Sequence, residues 1–212
     1  MRLVRGMAIA ALLLAAGGAA AAGAYDDMIR AIEREDERSI AALLKRGVDV
    51  DTVGPNGDSL LVIASRQGKP AIVKLLLSAQ PRINARNAFG ESALMVAAFH
   101  GHTGIVQQLL AHGAEVNQPG WTPLIYAAAH NRTEIARILI GHGAQVNAQA
   151  GNGTTALMMA AREGHLPMVL LLLEHGADLN AKTPAGYTAL NMARDHDRRD
   201  VAEMLIKAGA AE

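Results

Sequence analysis

Gly113-Ala114-Glu115-Val116-Asn117-Gln118-Pro119-Gly120-Trp121-Thr122-Pro123-Leu124 is one copy of a phrase that the chain repeats. Its leading glycine recurs as Gly47, Gly113, Gly143, Gly176 and Gly209, with Gln80 on the one missing beat, so that the intervals are 33, 33, 30, 33 and 33 residues. A fixed period of this size is the mark of a repeat architecture, in which each unit buries its apolar face against its neighbours.

Composition fits such a stack. Half of the 212 residues are hydrophobic, yet six alone are aromatic. Alanine and leucine take their place, which suits thin helices packed in layers. The formal net charge is zero. No stretch concentrates Lys and Arg as a nucleic-acid partner requires. Cysteine is absent, which excludes disulfides, thiolate metal sites and cysteine nucleophiles.

Residues 1–24 have the pattern of a secretory signal peptide. Arg2 and Arg5 form a basic start, 7–16 an apolar run and Ala22-Gly23-Ala24 a small-residue cleavage site, with the cut expected before Tyr25. The remaining chain carries 18 basic and 20 acidic side chains. This predicts a periplasmic or secreted protein with no membrane contact after cleavage. An uncleaved segment that tethers the protein to the membrane and an ordinary N-terminal helix are the alternatives.

Past the leader the chain divides into six units: an N-terminal cap at 25–53, repeats at 54–86, 87–117, 118–149 and 150–182, and a C-terminal cap at 183–212. In the first, Met28, Ile29, Ile32, Ile40, Leu43 and Leu44 make the apolar faces, and Asp, Glu and Arg the outer face that a terminal unit needs. Each later unit reads loop, glycine, short helix, turn, second helix, glycine. First helices are predicted over 59–67, 92–99, 122–129, 155–162 and 188–195, each opened by a capping Ser or Thr. Second helices are predicted over 71–78, 104–111, 134–140, 168–174 and 201–207, with Pro70 and Pro167 near two of their starts, where proline is tolerated.

Gly90-Glu91-Ser92-Ala93-Leu94-Met95-Val96-Ala97-Ala98, Gly101-His102 and Leu109-Leu110-Ala111-His112-Gly113-Ala114-Glu115-Val116-Asn117 together resemble an ankyrin repeat. Gly153-Thr154-Thr155-Ala156-Leu157-Met158-Met159-Ala160-Ala161, Gly164-His165 and Gly176-Ala177-Asp178-Leu179-Asn180 resemble it more closely still. Thr122-Pro123-Leu124 alone keeps the family's Thr-Pro-Leu, and the histidine that usually follows is replaced by Val62, Met95, Ile125, Met158 or Asn191. The resemblance implies an all-α ankyrin solenoid of helix-turn-helix units with short β-turn fingers.

No catalytic arrangement emerges. Gly151-Asn152-Gly153-Thr154-Thr155-Ala156 has the outline of a dinucleotide fingerprint, but no buried strand precedes it and the same loop recurs in each unit, so it reads as a turn. His112, His142 and His175 recur at one repeat position, too far apart to share one ion, and favour helix C-termini in their own right. The charged run 195–200 reads as a solvent-facing cap. No cofactor, metal or catalytic residue is therefore expected.

The family resemblance implies a protein partner held on a concave face by fingertips and first helices. Carried to this sequence, the protein-binding residues are Phe89, Glu91, Phe99, His100, Trp121, His130, Arg162, Glu163 and Tyr187. Four of the chain's aromatics fall in this set, as interface anchors do. The expectation is a monomeric, non-catalytic interaction module whose partner the sequence does not name. An enzyme built on His100, His130 and acidic groove residues is the competing class. Between Asn117 and Gly120 stand Gln118 and Pro119 alone, where 85–89 and 148–152 hold five residues. The central finger should therefore be missing its tip, leaving a notch beside Trp121.

Overall fold

The structure is a computed structural model that describes residues 23–211. The expected leader lies outside the described residues except for Gly23 and Ala24, which stand in the helix α1 (23–33). Its partner is α2 (Glu37–Lys45). Five further helix pairs follow: α3 (Leu60–Arg66) with α4 (Pro70–Ser78), α5 (Ala93–His100) with α6 (Thr103–Ala111), and α7 (Pro123–Ala129) with α8 (Thr133–Gly141). The last two are α9 (Ala156–Glu163) with α10 (Leu166–Glu174), and α11 (Ala189–Asp195) with α12 (Arg199–Lys207). The predicted helices all form, and most second helices start one or two residues earlier than the pattern suggested.

Local chemistry sets each start. The hydroxyls of Ser59, Ser92, Thr122, Thr155 and Thr188 accept the backbone N–H three residues on, at 3.2–3.5 Å. A cap of this kind contributes about 1 kcal/mol. At the position of the family's missing histidine, Asn191 Oδ1 accepts from both Thr188 N and Thr188 Oγ1, at 3.0 and 2.9 Å. Met95 offers a sulfur to the Ser92 N–H. Second helices close on left-handed residues: Gly113 has φ +85°, and Gln80 adopts φ +55° on the beat where glycine is absent.

Packing repeats with the sequence. Ala64, Ala97, Ala127, Ala160 and Ala193 occupy one register row and are all fully buried. Their small side chains let successive first helices approach closely. Leu76, Leu109, Leu139, Leu172 and Leu205 form the matching row of the second helices, again fully buried. Both rows continue through the 30-residue unit without a break, so the shortening is confined to its finger.

Two polar ladders join the units. His102 Nε2 and His165 Nε2 donate to the carbonyls of Arg66 and Ala129 at 3.3 and 3.1 Å. Arg132 Nε and Arg198 Nε, at the equivalent positions, donate to those of Phe99 and Arg162 at 3.3 and 3.0 Å. These groups satisfy carbonyls left open at the ends of the preceding first helices. The run 195–200, read from the sequence as a solvated cap, thus also fastens the last unit to its neighbour. In the loops, the side-chain oxygens of Asn84, Asn117, Asn147 and Asn180 accept the N–H of Glu115, Gln145, Asp178 and Ala211 at 2.8–2.9 Å.

Four fingers close by a backbone hydrogen bond: Gly54 N to Asp58 O, Asn87 N to Glu91 O, Ala150 N to Thr154 O, and Thr183 N to Tyr187 O. The loop 150–154 is therefore a turn, as expected. Asn117–Gly120 makes no such bond, and Pro119 O is reached instead by Arg86 Nη2 at 2.7 Å. Among the described residues no helix is long and apolar enough to cross a membrane.

Candidate functional site

One register row runs along the finger side just before the first helices: Asp58, Glu91, Trp121, Thr154 and Tyr187. A second lies near the ends of those helices: Arg66, Phe99, Ala129, Arg162 and Asp195. The residue just before each first helix and the one eight places on approach each other, as the 2.7 Å contact of Arg66 with Asp58 and the hollow shared by Thr154 and Arg162 show. The two rows consequently meet across the finger side of the stack.

At its N-terminal end the rows join as ions. Arg66 donates to both carboxylate oxygens of Asp58, at 2.7 and 3.0 Å, and to Glu91 Oε2 of the next unit at 3.4 Å. Asn87 Nδ2 adds bonds to Asp58 and Glu91 at 2.8 and 3.0 Å. Donation from Arg66 holds the Asp58 carboxyl below its usual pKa, and Asp58 in turn raises that of Arg66. Glu91, expected to face a partner, is thus engaged within the protein.

Toward the middle, rings replace ions. Phe99 packs against His130 with centroids 4.1 Å apart and meets Tyr126 edge-on at 5.8 Å. Trp121 lies 5.3 Å from Tyr126. His100 sits 4.8 Å from Phe99 and stacks on His102 at 5.9 Å. Such contacts contribute about 0.5–1.5 kcal/mol beyond their buried area. The result is a continuous strip in which Phe99 and Trp121 are half-buried and His100 and His130 each keep an edge in solvent. Burial of the other faces lowers the pKa of both histidines, helped at His100 by His102 and Arg66 and at His130 by Arg132. The phenol of Tyr126 is raised, first by burial and then by the charge of Glu91.

Tyr126 completes this strip and was missed by the sequence reading. The signal was available: it shares a register position with Ile63, Val96, Met159 and Met192, and is the one polar-tipped ring among them.

Trp121, Arg162 and Tyr187 come together farther along, around an open hollow of about 360 Å³ whose apolar wall includes Met159 and Met192. Arg162 touches Glu163 Oε1 at 3.6 Å and donates to His196 Nε2 at 3.4 Å, all from its Nε. Tyr187 is 46% exposed. Phe89 stands apart from both groups, 72% exposed at its fingertip, on the side where the next finger has no tip. The notch itself is a separate hollow of about 160 Å³ walled by Gln118, Pro119, Gly120 and Gln149. There Gln118 is buried, its Nε2 donating to Asn84 O at 3.3 Å while its Oε1 has no partner.

Elsewhere, His112 and His175 place Nδ1 2.8 Å from the carbonyls of Gln108 and Leu171, within the last turns of their own helices. Among the described residues no three His, Asp or Glu side chains converge to hold a metal ion. The arrangement sets rings, thioethers and the Arg162 guanidinium side by side on the finger side.

These features define the chain as a helical repeat solenoid with a surface built along its fingers. A model of ankyrin repeats in three copies matches residues 28–119 and 61–150, and a model of ankyrin repeats in many copies matches 141–193. The chain belongs to the ankyrin repeat family. It is 30% identical over 89 residues to the putative ankyrin repeat protein YahD of Escherichia coli, a stretch that covers 40% of this chain and 44% of that protein. It is 40% identical over 55 residues to ankyrin repeat domain-containing protein 29 of Danio rerio, covering 26% of this chain and 18% of the relative. Against ankyrin repeat and SOCS box protein 2 of Bos taurus it is 33% identical over 91 residues, covering 42% and 14% respectively. The match spans less than half the length of each of these relatives. Ankyrin repeats are protein-interaction modules and are in general not enzymes.

Proposed function

We propose that this chain is a non-catalytic module, exported to the periplasm or beyond, that holds a partner protein on its finger side. The observation that carries this reading is the ring strip from His100 through Phe99 and Tyr126 to Trp121, open to solvent along one edge. Rings left at a surface while alanine and leucine fill the interior are anchors for a partner, since they bury large area at low entropic cost. Phe89, Tyr187 and Arg162 extend the surface to either side, and the notch of the shortened finger lies at its centre. The basic, apolar and small-residue succession of 1–24 supports export.

Capture of partners from the exported fraction tests the reading. Trp121→Ala should leave the helical circular dichroism intact and lower recovery of a co-purifying protein; equal recovery would remove the surface from consideration. Inserting a three-residue tip after Pro119 should lower the same recovery without unfolding the stack. Export has its own readout: the exported protein should have the mass of a chain beginning at Tyr25, and one beginning at Met1 contradicts cleavage.

A further inference from the structure

The repeat supplies its own experiment on what the hollow beside Trp121 accepts. Arg66 and Arg162 occupy the same register position, as do Asp58 and Thr154, and Glu91 and Tyr187. At the first site the guanidinium receives a bidentate carboxylate from its own unit and a second carboxylate from the next. At the second, both suppliers are gone. Thr154 and Tyr187 stand where the carboxylates would be. Among the described residues neither terminal nitrogen of Arg162 donates a hydrogen bond, and Glu163 touches its Nε at 3.6 Å. Asp195, across the hollow, makes no ion pair with it within 4.0 Å.

The surroundings changed together with the charge. Trp121, Tyr187, Met159 and Met192 now line the space beside the cation. Rings with a polar tip and flexible thioethers form a pocket for a bulky apolar side chain. A planar guanidinium with open terminal nitrogens takes a carboxylate in the two-point geometry already seen at Asp58 and Arg66.

We infer that this hollow binds a peptide segment of the partner in which an Asp or Glu side chain stands beside a bulky apolar one, the acid on Arg162 and the apolar group between Trp121 and Tyr187. This rests on the finger-side reading above and names the chemistry of what that side holds. The filled copy of the site, three units earlier along the same row, is its template.

Random peptides displayed in a constrained loop and selected against the full chain test the inference. Enriched sequences should carry Asp or Glu next to, or one residue removed from, Phe, Tyr, Trp, Leu or Met. Synthetic copies amidated at the C-terminus are then titrated by the fluorescence of Trp121, the chain's one tryptophan. Replacing their acid by its amide should weaken binding by about tenfold or more, the scale of a charged hydrogen bond. In Arg162→Gln, whose exposed side chain leaves the core untouched, acid and amide should bind alike. Thr154→Asp combined with Tyr187→Glu, which rebuilds the internal carboxylates, should close the site to the peptides. Selection that enriches nothing, enriched peptides without an acid, a full acid preference in Arg162→Gln, or equal binding by a free C-terminus in place of the side chain would each overturn the inference. Non-acidic peptides whose binding Trp121→Ala abolishes would overturn it and leave the finger-side reading standing.

Discussion

Between the second and third units the finger side is drawn together by Asp58, Arg66, Glu91 and Asn87, while between the fourth and sixth the same positions carry Trp121, Thr154, Arg162 and Tyr187. The backbone differs little between the two places, since the buried alanine and leucine rows run through both. What differs is how the cation is met: Arg66 by a bidentate carboxylate and a second acid, Arg162 by Glu163 and His196 at its Nε alone. The first guanidinium ties two units together; the second, among the described residues, keeps both terminal nitrogens without a hydrogen bond, beside rings and sulfur.

The contrast can be broken most strongly at its closed end. Arg66→Gln leaves two carboxylates adjacent with half of their donors removed, and should cost about 2 kcal/mol in urea unfolding, the scale for a lost charged partner in a half-buried network. Arg162→Gln should cost less than about 0.5 kcal/mol, as exposed changes away from packing do. Equal losses would mean that the two arginines play one role.

Acid should act on the same end. The pKa of Asp58 is lowered in the folded protein, so its contribution is complete above the ordinary carboxylate value of about 3.9 and is lost as pH falls through the folded one. The urea midpoint of the natural chain should therefore drop as pH falls below about 4. In Asp58→Asn the drop should be smaller.

The middle of the face has a different pH window. His100 and His130 have lowered values in the fold, so their neutral rings contribute stability above the unfolded value of about 6.5, and this is lost as pH falls from there through the folded values. A gentle decline in thermal midpoint below neutrality should result, weakened in His130→Gln. Smallest of all should be the three-residue insertion at the short finger. Loop lengthening costs a few tenths of a kcal/mol, so a stability change much beyond this would show that the notch has a structural part.

Much of this architecture is legible in the sequence. The recurrence of Gly47, Gly113, Gly143, Gly176 and Gly209 placed the units, and the Ser and Thr before each apolar run placed the first helices almost to the residue. Those signals are local: a left-handed backbone and an open N–H demand particular residues wherever they occur. Gln80 shows the limit of the rule, since it holds the glycine conformation without being glycine. The site was read less completely. The sequence groups Trp121 with Phe89, Phe99, His100 and His130, but Phe89 stands apart at its fingertip, Glu91 serves Arg66, and the position of Tyr126 reads as part of the apolar helix face.

The sequence by itself determined the repeat, its period, its caps and the one interval that is short, because each follows from backbone and periodicity within a single unit. The tertiary structure alone decided which side chains of different units meet. Arg66 reaches Glu91 across a unit boundary, Arg132 reaches Phe99, and Arg162 finds no carboxylate for its terminal nitrogens. These outcomes depend on the spacing and rotation between neighbouring units, which set angstrom-scale distances that a one-dimensional period does not contain.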